Sequence, residues 1–288
     1  MVYDLNGTSL SAGGSGMLNV LDYGFKGDGT TDNLAAFNDL VAARPGETLY
    51  FPKGVYAFSG KLVIDFCYMV LDNAELKCTA ATKVNRFIEI RGKMTPIGRP
   101  RQDMFIRGNG KINANFKADD CIAVARQKCT LIDHSSIQNF QRYGICGKFE
   151  DASMETEGLV ASNLSYELMV RNCLIETALT YQNAVGIYDT GDSMYTDIVI
   201  LNVKTALSCN GSSIFHTWCY DFDHSDHDTQ KALMENTVFA YIRVNGPRFS
   251  DCYCDTYQRG FKFYDGRTLA YITNFRWYIA AETWPTDL

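Results

Sequence analysis

The densest group of side chains that could perform acid–base chemistry lies between positions 218 and 228. The segment reads Trp218-Cys219-Tyr220-Asp221-Phe222-Asp223-His224-Ser225-Asp226-His227-Asp228. Side chains two residues apart on a strand point the same way, with Cα atoms about 6.6–7 Å apart. If the strand continues, Asp221 and Asp223 share one face at a separation compatible with an inverting pair of carboxyl groups, one acid and one base. We predict Asp221 and Asp223 as catalytic residues.

The side chains beside these two carboxylates suit contact with a substrate. We predict Trp218, Tyr220 and His224 as substrate-binding residues, with Tyr220 at a position that faces the interior. Carboxylates this close raise the pKa of one member of the pair, which supplies a proton donor near neutral pH. Two other interpretations stay open. The segment could be a solvated acidic turn, or His224, Asp226 and His227 could bind a divalent ion.

Two further acidic motifs are weaker candidates. Asp119 and Asp120 are adjacent acids, and we predict that both contact the substrate, the alternative being a turn capped by an aspartate. Asp133 and His134 lie in an alternating segment that an ordinary strand explains equally well. The sequence has no nucleophile elbow, phosphate-binding loop or dinucleotide-binding fingerprint. We predict no cofactor and no resident metal.

The composition limits the class of protein. The chain has 288 residues, of which 46% are hydrophobic and 13% aromatic, and its net charge is −6. One or two folded domains with a core fit this size, and the negative charge argues against a general nucleic-acid partner. The first residues lack the features of a signal peptide, and no apolar run approaches the about 20 residues of a membrane span. We expect a soluble chain made in a cytoplasm, without membrane insertion, whose ten cysteines are mostly reduced core residues.

A helix precedes a long region of short strands. Leu34, Phe37 and Leu40 recur at helical spacing, and Pro45-Gly46 ends that run. Later strands share an Asn or Asp placed before apolar residues, at positions 172, 202, 236, 251 and 274. Such irregular repeats favour a parallel β-solenoid over a β-sandwich, with roughly ten coils after the cap. The predicted regions are a flexible leader at 1–18, a cap with the helix and first strands at 19–58, and a β-helix body at 59–288.

Two segments near the N-terminus resemble those of a known family. Residues 22–32 (DYGFKGDGTTD) and 49–56 (LYFPKGVY) resemble the opening motif of pectate-lyase-like right-handed β-helices, which phage tailspikes and tail appendages use often. Residues 105–112, with glycines at 108 and 110, match a coil that follows this motif. The resemblance implies an all-β, single-stranded right-handed parallel β-helix with a short N-terminal capping helix. Asp28 and Asp32 would then be structural.

The resemblance also implies a function, since many β-helices of this family cleave polysaccharide with paired carboxylates. Asp119-Asp120 is similar to one element of the polygalacturonase site, but the Gly-His-Gly and Arg-x-Lys elements are missing. Asp133-His134 is similar to a short motif of calcium-dependent pectate lyases. We expect a homotrimeric phage tailspike or tail appendage in the virion, joined to other tail proteins, that recognises bacterial surface polysaccharide. Whether it also depolymerises that polysaccharide with its paired carboxylates is left open by the resemblance. The alternatives are a non-enzymatic structural or receptor-binding tail component, and a free-standing bacterial polysaccharide lyase or glycoside hydrolase.

Overall fold

A computed structural model describes residues 16–64, 67–91, 101–102, 104–125, 127–147, 167–178, 183–188, 191–220, 235–244, 246–255, 257–264 and 269–278. These residues contain a 3-10 turn at Val20–Tyr23, the helix α1 at Leu34–Ala43, and strands β1 to β28. The strands are β1 Met17–Asn19, β2 Asp28–Asp32, β3 Thr48–Phe51, β4 Gly54–Phe58, β5 Leu62–Ile64, β6 Tyr68–Leu71, β7 Ala74–Cys78, β8 Val84–Arg91, β9 Arg101–Gln102, β10 Phe105–Arg107, β11 Lys111–Asn113, β12 Ala118–Ala125, β13 Gln127–Lys128, β14 Leu131–Asp133, β15 Ser136–Gln138, β16 Tyr143–Cys146, β17 Met169–Arg171, β18 Leu174–Glu176, β19 Val185–Tyr188, β20 Met194–Leu201, β21 Thr205–Asn210, β22 Ser213–Tyr220, β23 Val238–Val244, β24 Arg248–Ser250, β25 Tyr253–Asp255, β26 Arg259–Phe263, β27 Tyr271–Thr273 and β28 Arg276–Tyr278.

The strands form three faces of a solenoid, and every strand pairing between described residues is parallel. Face A consists of β1, β3, β6, β10, β14, β17, the first halves of β20 and β22, β24 and β27. Face B consists of β2, β4, β7, β11, β15, β18, the second halves of β20 and β22, β25 and β28. Face C consists of β5, β8, β12, β16, β19, β21, β23 and β26. The chain visits A, B and C in turn, which confirms the predicted right-handed parallel β-helix. The short strands β9 and β13 pair beside face C.

The interior consists of rows of aliphatic side chains stacked along the axis. One row on face B runs through Leu76, Ile112, Ile137, Ile175 and Ile200, each in register with the next and each fully buried. Parallel in-register pairing forces such repetition, because a position that faces inward in one coil faces inward in the next. Burial of each side chain contributes about 1.5–3 kcal/mol.

Helix α1 closes the N-terminal end of this core. Its inward face buries Phe37 and Leu40, and the Phe37 ring meets that of Phe58 edge-on at 6.0 Å. The Asp32 carboxylate accepts hydrogen bonds from the amides of Leu34 (3.1 Å) and Ser59 (2.9 Å). It therefore holds the first helical residue and ties it to the first coil, as expected of a structural aspartate.

The corner between faces A and B, here the A/B corner, is a single residue with positive φ in most coils. The non-glycine residues at this corner are Asn73, His134, Asn172, Asp197, His216, Asp251 and Asn274, with φ between 43° and 56°. Asn, Asp and His tolerate this left-handed conformation better than other residues. Three of the repeat anchors, at 172, 251 and 274, therefore mark this corner, whereas Asn202 and Asn236 precede strands of face C.

The coils vary in length more than the repeat pattern predicts. The corner residues Asp197 and His216 are 19 residues apart, whereas His134 and Asn172 are 38 apart. In the described residues, eight strands of face A begin after residue 59, against the roughly ten coils expected.

The nine cysteines described with their side chains are free thiols, eight of them buried, and burial raises the pKa of Cys67 to about 12.

Candidate functional site

The predicted catalytic residues Asp221 and Asp223 lie outside the described residues, as does His224. The alternative metal ligands Asp226 and His227 lie there as well. These assignments stay predictions. Among the described residues, no three His, Cys, Asp or Glu side chains are grouped so that they could hold a metal ion.

Strand β22 contains the predicted binding residues Trp218 and Tyr220. Cys219, which lies between them, is in register with Ile200 and Cys254, both fully buried. The assignments of Trp218 and Tyr220 as substrate-binding residues stay predictions. His216, earlier in the same strand, has a positive φ. It interrupts the two-residue alternation, so that Ile214 and Thr217 are buried on either side of it.

The predicted binding residues Asp119 and Asp120 lie at the start of β12 on face C. Asp120 is fully buried and accepts two hydrogen bonds from Arg142, each 2.8 Å long. Burial raises the pKa of Asp120 above its ordinary value, although the Arg142 guanidinium opposes this change. Because its carboxylate is enclosed, Asp120 reaches the surface only through Arg142. Asp119 is partly exposed and pairs with Lys83 at 2.6 Å.

Arg142 leads to a cluster of aromatic and cationic side chains on the outer side of face C. Its guanidinium lies over the Tyr143 ring at 4.7 Å, and that ring lies 4.9 Å from the ring of Tyr188. Arg243 lies over Tyr188 at 4.3 Å and donates a hydrogen bond of 2.9 Å to its hydroxyl. We name Arg142, Tyr143, Tyr188 and Arg243 the tyrosine–arginine cluster.

A floor of small residues adjoins this cluster. Ala123, Ala125 and Cys146 are buried, yet they form an apolar group separate from the interior core and pack against Tyr143 and Tyr188. These three side chains are fully enclosed, and the half-buried rings of Tyr143 and Tyr188 pack over them on the outer side of the sheet. Such a surface suits a flat ring that stacks on an aromatic side chain.

Positive charge surrounds the other end of this floor. Glu89, in register with Ala123, is fully buried and pairs with Lys61 and Arg91 at 2.5 Å each. Arg86 lies 3.6 Å from the same carboxylate. Three cations surround the carboxylate of Glu89, and Arg142 pairs with the carboxylate of Asp120. Together with Arg243 they make five cations against two carboxylates, and the excess of positive charge favours anions.

Sequence reasoning did not identify the tyrosine–arginine cluster. Tyr188 and Arg243 are 55 residues apart, and the irregular coil lengths hide their proximity. The signal that the sequence did carry was Asp120, which the structure links to Arg142.

The motif at Asp133 and His134 is an A/B corner rather than a reactive site. Asp133 accepts hydrogen bonds from Arg171 (2.8 Å) and Asn172 (3.1 Å), and His134 lies 2.7 Å from the same carboxylate. Burial raises the pKa of Asp133, but the Arg171 and Asn172 hydrogen bonds outweigh it and the net change is downward. These contacts join two coils.

In the part of the chain that the structure describes, no helix is long and apolar enough to cross a membrane.

The sequence matches one family model over most of the described solenoid. The family is described as rhamnogalacturonase A/epimerase, pectate lyase-like, and the match covers residues 17–220. A search of curated proteins finds no match.

Several solved structures share the fold at low sequence identity. The A-module of the mannuronan C-5 epimerase AlgE4 from Azotobacter vinelandii has a TM-score of 0.58 and 13% identity, covering 89% of this chain and 76% of that one. The alginate lyase of Paenibacillus sp. str. FPU-7 has a TM-score of 0.56 and 11% identity, covering 85% of this chain and 93% of that one. ORF18 of Geobacillus virus E2 has a TM-score of 0.56 and 11% identity over 92% of this chain. The chain spans 61% of the length of that viral protein.

Proposed function

Because the chain belongs to the pectate lyase-like rhamnogalacturonase A/epimerase family, we propose that it binds an acidic polysaccharide on the outer side of face C. One observation carries the proposal: the tyrosine–arginine cluster beside an apolar floor. Two solved structures that share the fold are named for mannuronan and alginate. For this chain we propose the same kind of ligand, a polysaccharide, that those two names give.

The cluster offers the two contacts that an acidic sugar needs. The faces of Tyr143 and Tyr188 can stack on the apolar faces of sugar rings. The guanidinium groups of Arg142 and Arg243 carry positive charge on planar sets of N–H donors, which favours a carboxylate or sulfate of the sugar beside them. Asp120 acts as a positioning residue, because it fixes the guanidinium of Arg142 through two hydrogen bonds.

We further propose that the protein is a tail appendage of a phage virion that recognises a bacterial surface polysaccharide. The likeness to ORF18 of Geobacillus virus E2 supports this placement. A homotrimer attached to other tail proteins would present several copies of face C to the cell surface. A receptor-binding tail component without enzymatic activity, and a free-standing bacterial lyase or hydrolase, are the alternatives that experiment must separate.

Affinity electrophoresis tests binding at face C. Gels containing alginate, polygalacturonate or bacterial acidic capsules should retard the native protein, and gels containing dextran should not. Arg243→Gln removes a guanidinium without disturbing the buried Asp120–Arg142 pair, and we expect at least a tenfold weaker affinity, equivalent to about 1.4 kcal/mol. The exposed Arg248 on face A provides the matched control Arg248→Gln, which should bind as the native protein does. Equal retardation of both variants would exclude the cluster as the binding site.

Cleavage is a separate proposal and has a separate assay. If Asp221 and Asp223 are the acid and base of a depolymerase, the protein should release reducing or unsaturated ends from the polysaccharide that it binds. Asp221→Asn and Asp223→Asn should each abolish release while leaving affinity electrophoresis unchanged. Release that survives both substitutions would place the catalytic residues elsewhere. Binding without release from a broad panel would identify a receptor-binding component.

A further inference from the structure

A cleft lies at the A/B corner, away from face C. Its volume is about 700 Å³, which is within the range of small-ligand sites. The residues that line it come from β20, β22, β25 and β28 and from the corners that precede β25 and β28. They are Asp197, Ile198, Val199, His216, Asp251, Cys252, Tyr253, Asn274 and Arg276.

Three successive coils place titratable side chains together in this cleft. Asp197 lies 3.4 Å from Nδ1 of His216, and Asp251 lies 3.9 Å from Nε2 of the same ring. The side chains of Asp197, His216 and Asp251 are 54%, 60% and 42% exposed. Because about half of each side chain is exposed, a ligand in the cleft can reach all three of them.

The fold alone does not require these residue types. The A/B corner demands a residue that tolerates positive φ, and Asn73 and Asn172 meet this demand in other coils. Asp197, His216 and Asp251 adopt the same conformation but add charge and an imidazole. The corner therefore explains why each position holds a residue that tolerates positive φ. It does not explain why two of these residues carry a carboxylate and the third an imidazole.

The neighbours of Asp251 fix part of the cleft. Asn274 and Ser250 donate hydrogen bonds of 2.5 and 2.8 Å to its carboxylate. These bonds hold the pKa of Asp251 below its ordinary value, the Asn274 bond being the larger cause. The carboxylate is thus ionised and oriented at neutral pH.

We propose that this cleft binds a neutral sugar unit of a glycan, at a site distinct from face C. The carboxylates of Asp197 and Asp251 accept hydrogen bonds from sugar hydroxyls, and the imidazole of His216 can donate or accept one. Tyr253 offers an aromatic wall. Two carboxylates face one arginine, Arg276, so the cleft disfavours polyanions. Face C, with its excess of arginines, has the opposite preference.

The ring signals of His216 test the proposal directly. The chain has four histidines, and the His216→Asn variant assigns the signal of that ring in a ¹H–¹³C spectrum. The protein would be titrated with maltohexaose, cellohexaose, xylohexaose and a galactomannan oligosaccharide, and with oligogalacturonate as the acidic counterpart. We expect at least one neutral oligosaccharide to shift the His216 signal saturably, and oligogalacturonate to leave it in place. A His216 signal that responds to none of the neutral sugars, or that responds more strongly to oligogalacturonate, would overturn the proposal.

Substitutions at the corner separate binding from folding. Asp197→Asn and His216→Asn keep a residue that suits positive φ, so we expect unchanged urea midpoints and at least tenfold weaker binding of the neutral sugar. His134→Asn is the matched control, because His134 has the same conformation and 61% side-chain exposure, and it should bind normally. Arg243→Gln should bind the neutral sugar normally even if it loses acidic polysaccharide. Unchanged affinity in Asp197→Asn and His216→Asn would contradict the assignment.

Discussion

The adjacent acids Asp119 and Asp120 show how burial changes the energetic importance of a carboxylate. Asp120 is fully buried and bound to Arg142 by two charged hydrogen bonds. We expect Asp120→Asn to lower the free energy of unfolding by about 2 kcal/mol, because each lost charge-assisted bond leaves a buried group poorly satisfied. Urea denaturation measures this loss, and affinity electrophoresis should show weaker binding because Arg142 loses its orientation.

Asp119 provides the control for that experiment. Its ion pair with Lys83 is largely exposed, and exposed pairs contribute about 0–1 kcal/mol. Asp119→Asn should therefore leave the urea midpoint nearly unchanged. Equal effects of the two substitutions would mean that the Asp120–Arg142 pair has no special role in stability.

Asp133 makes stability depend on pH. Its hydrogen bonds with Arg171 and Asn172 lower its folded pKa despite burial, whereas its unfolded pKa is about 3.9. A lowered folded pKa contributes stability above the unfolded pKa, and this contribution is lost as pH falls through the folded value. Between pH 6 and pH 3, the urea midpoint of the native protein should therefore fall more than that of Asp133→Asn. Parallel pH profiles for the two proteins would contradict this role.

At the scale of elements, the corner between β10 and β11 depends on the absence of a side chain at Gly108. Its φ is +112°, and a Cβ there would lie 2.2 Å from the carbonyl oxygen of Leu71. We expect Gly108→Ala to destabilise the protein by about 3 kcal/mol or more. Gly24 also has positive φ, at +87°, but nothing lies within 4 Å of its Cβ position. Gly24→Ala should cost only about 1 kcal/mol, and equal losses in urea denaturation would show that the close approach to Leu71 is unimportant.

The sequence predicted those elements whose signals are local. Leu34, Phe37 and Leu40 identified the capping helix, and the glycines at 108 and 110 identified a coil corner. The tyrosine–arginine cluster and the A/B-corner cleft could not be predicted, because their residues meet across coils of unequal length. Asp197 and His216 also lie within the unbroken strands β20 and β22, so no turn signal marked them.

At the scale of the whole molecule, an apolar stripe on the outer side of face A supports the proposed homotrimer. The rings of Tyr68 and Phe105 lie 4.7 Å apart. Phe105, Leu131, Met169 and Met194 follow one another in register, and Met194 is 49% exposed. A continuous apolar stripe on a surface favours association. Light scattering should give a mass three times the 32.3 kDa of the chain.

Substitutions on that stripe test the assembly. Met194→Glu should shift the mass toward that of the monomer, whereas Lys77→Glu on face B should keep the native mass. A monomeric native protein would remove the trimer from the account but leave the face C site intact. A trimer that survives Met194→Glu would place the subunit contact on another surface.

The most direct test of the account is a crystal structure of the protein soaked with oligosaccharides of the acidic polysaccharide that it binds most tightly. We predict a glycan on the outer side of face C, with a sugar ring against Tyr143 or Tyr188 and an acidic group within hydrogen-bond distance of Arg142 or Arg243. An acidic glycan bound on another face, with the tyrosine–arginine cluster vacant, would contradict the central claim.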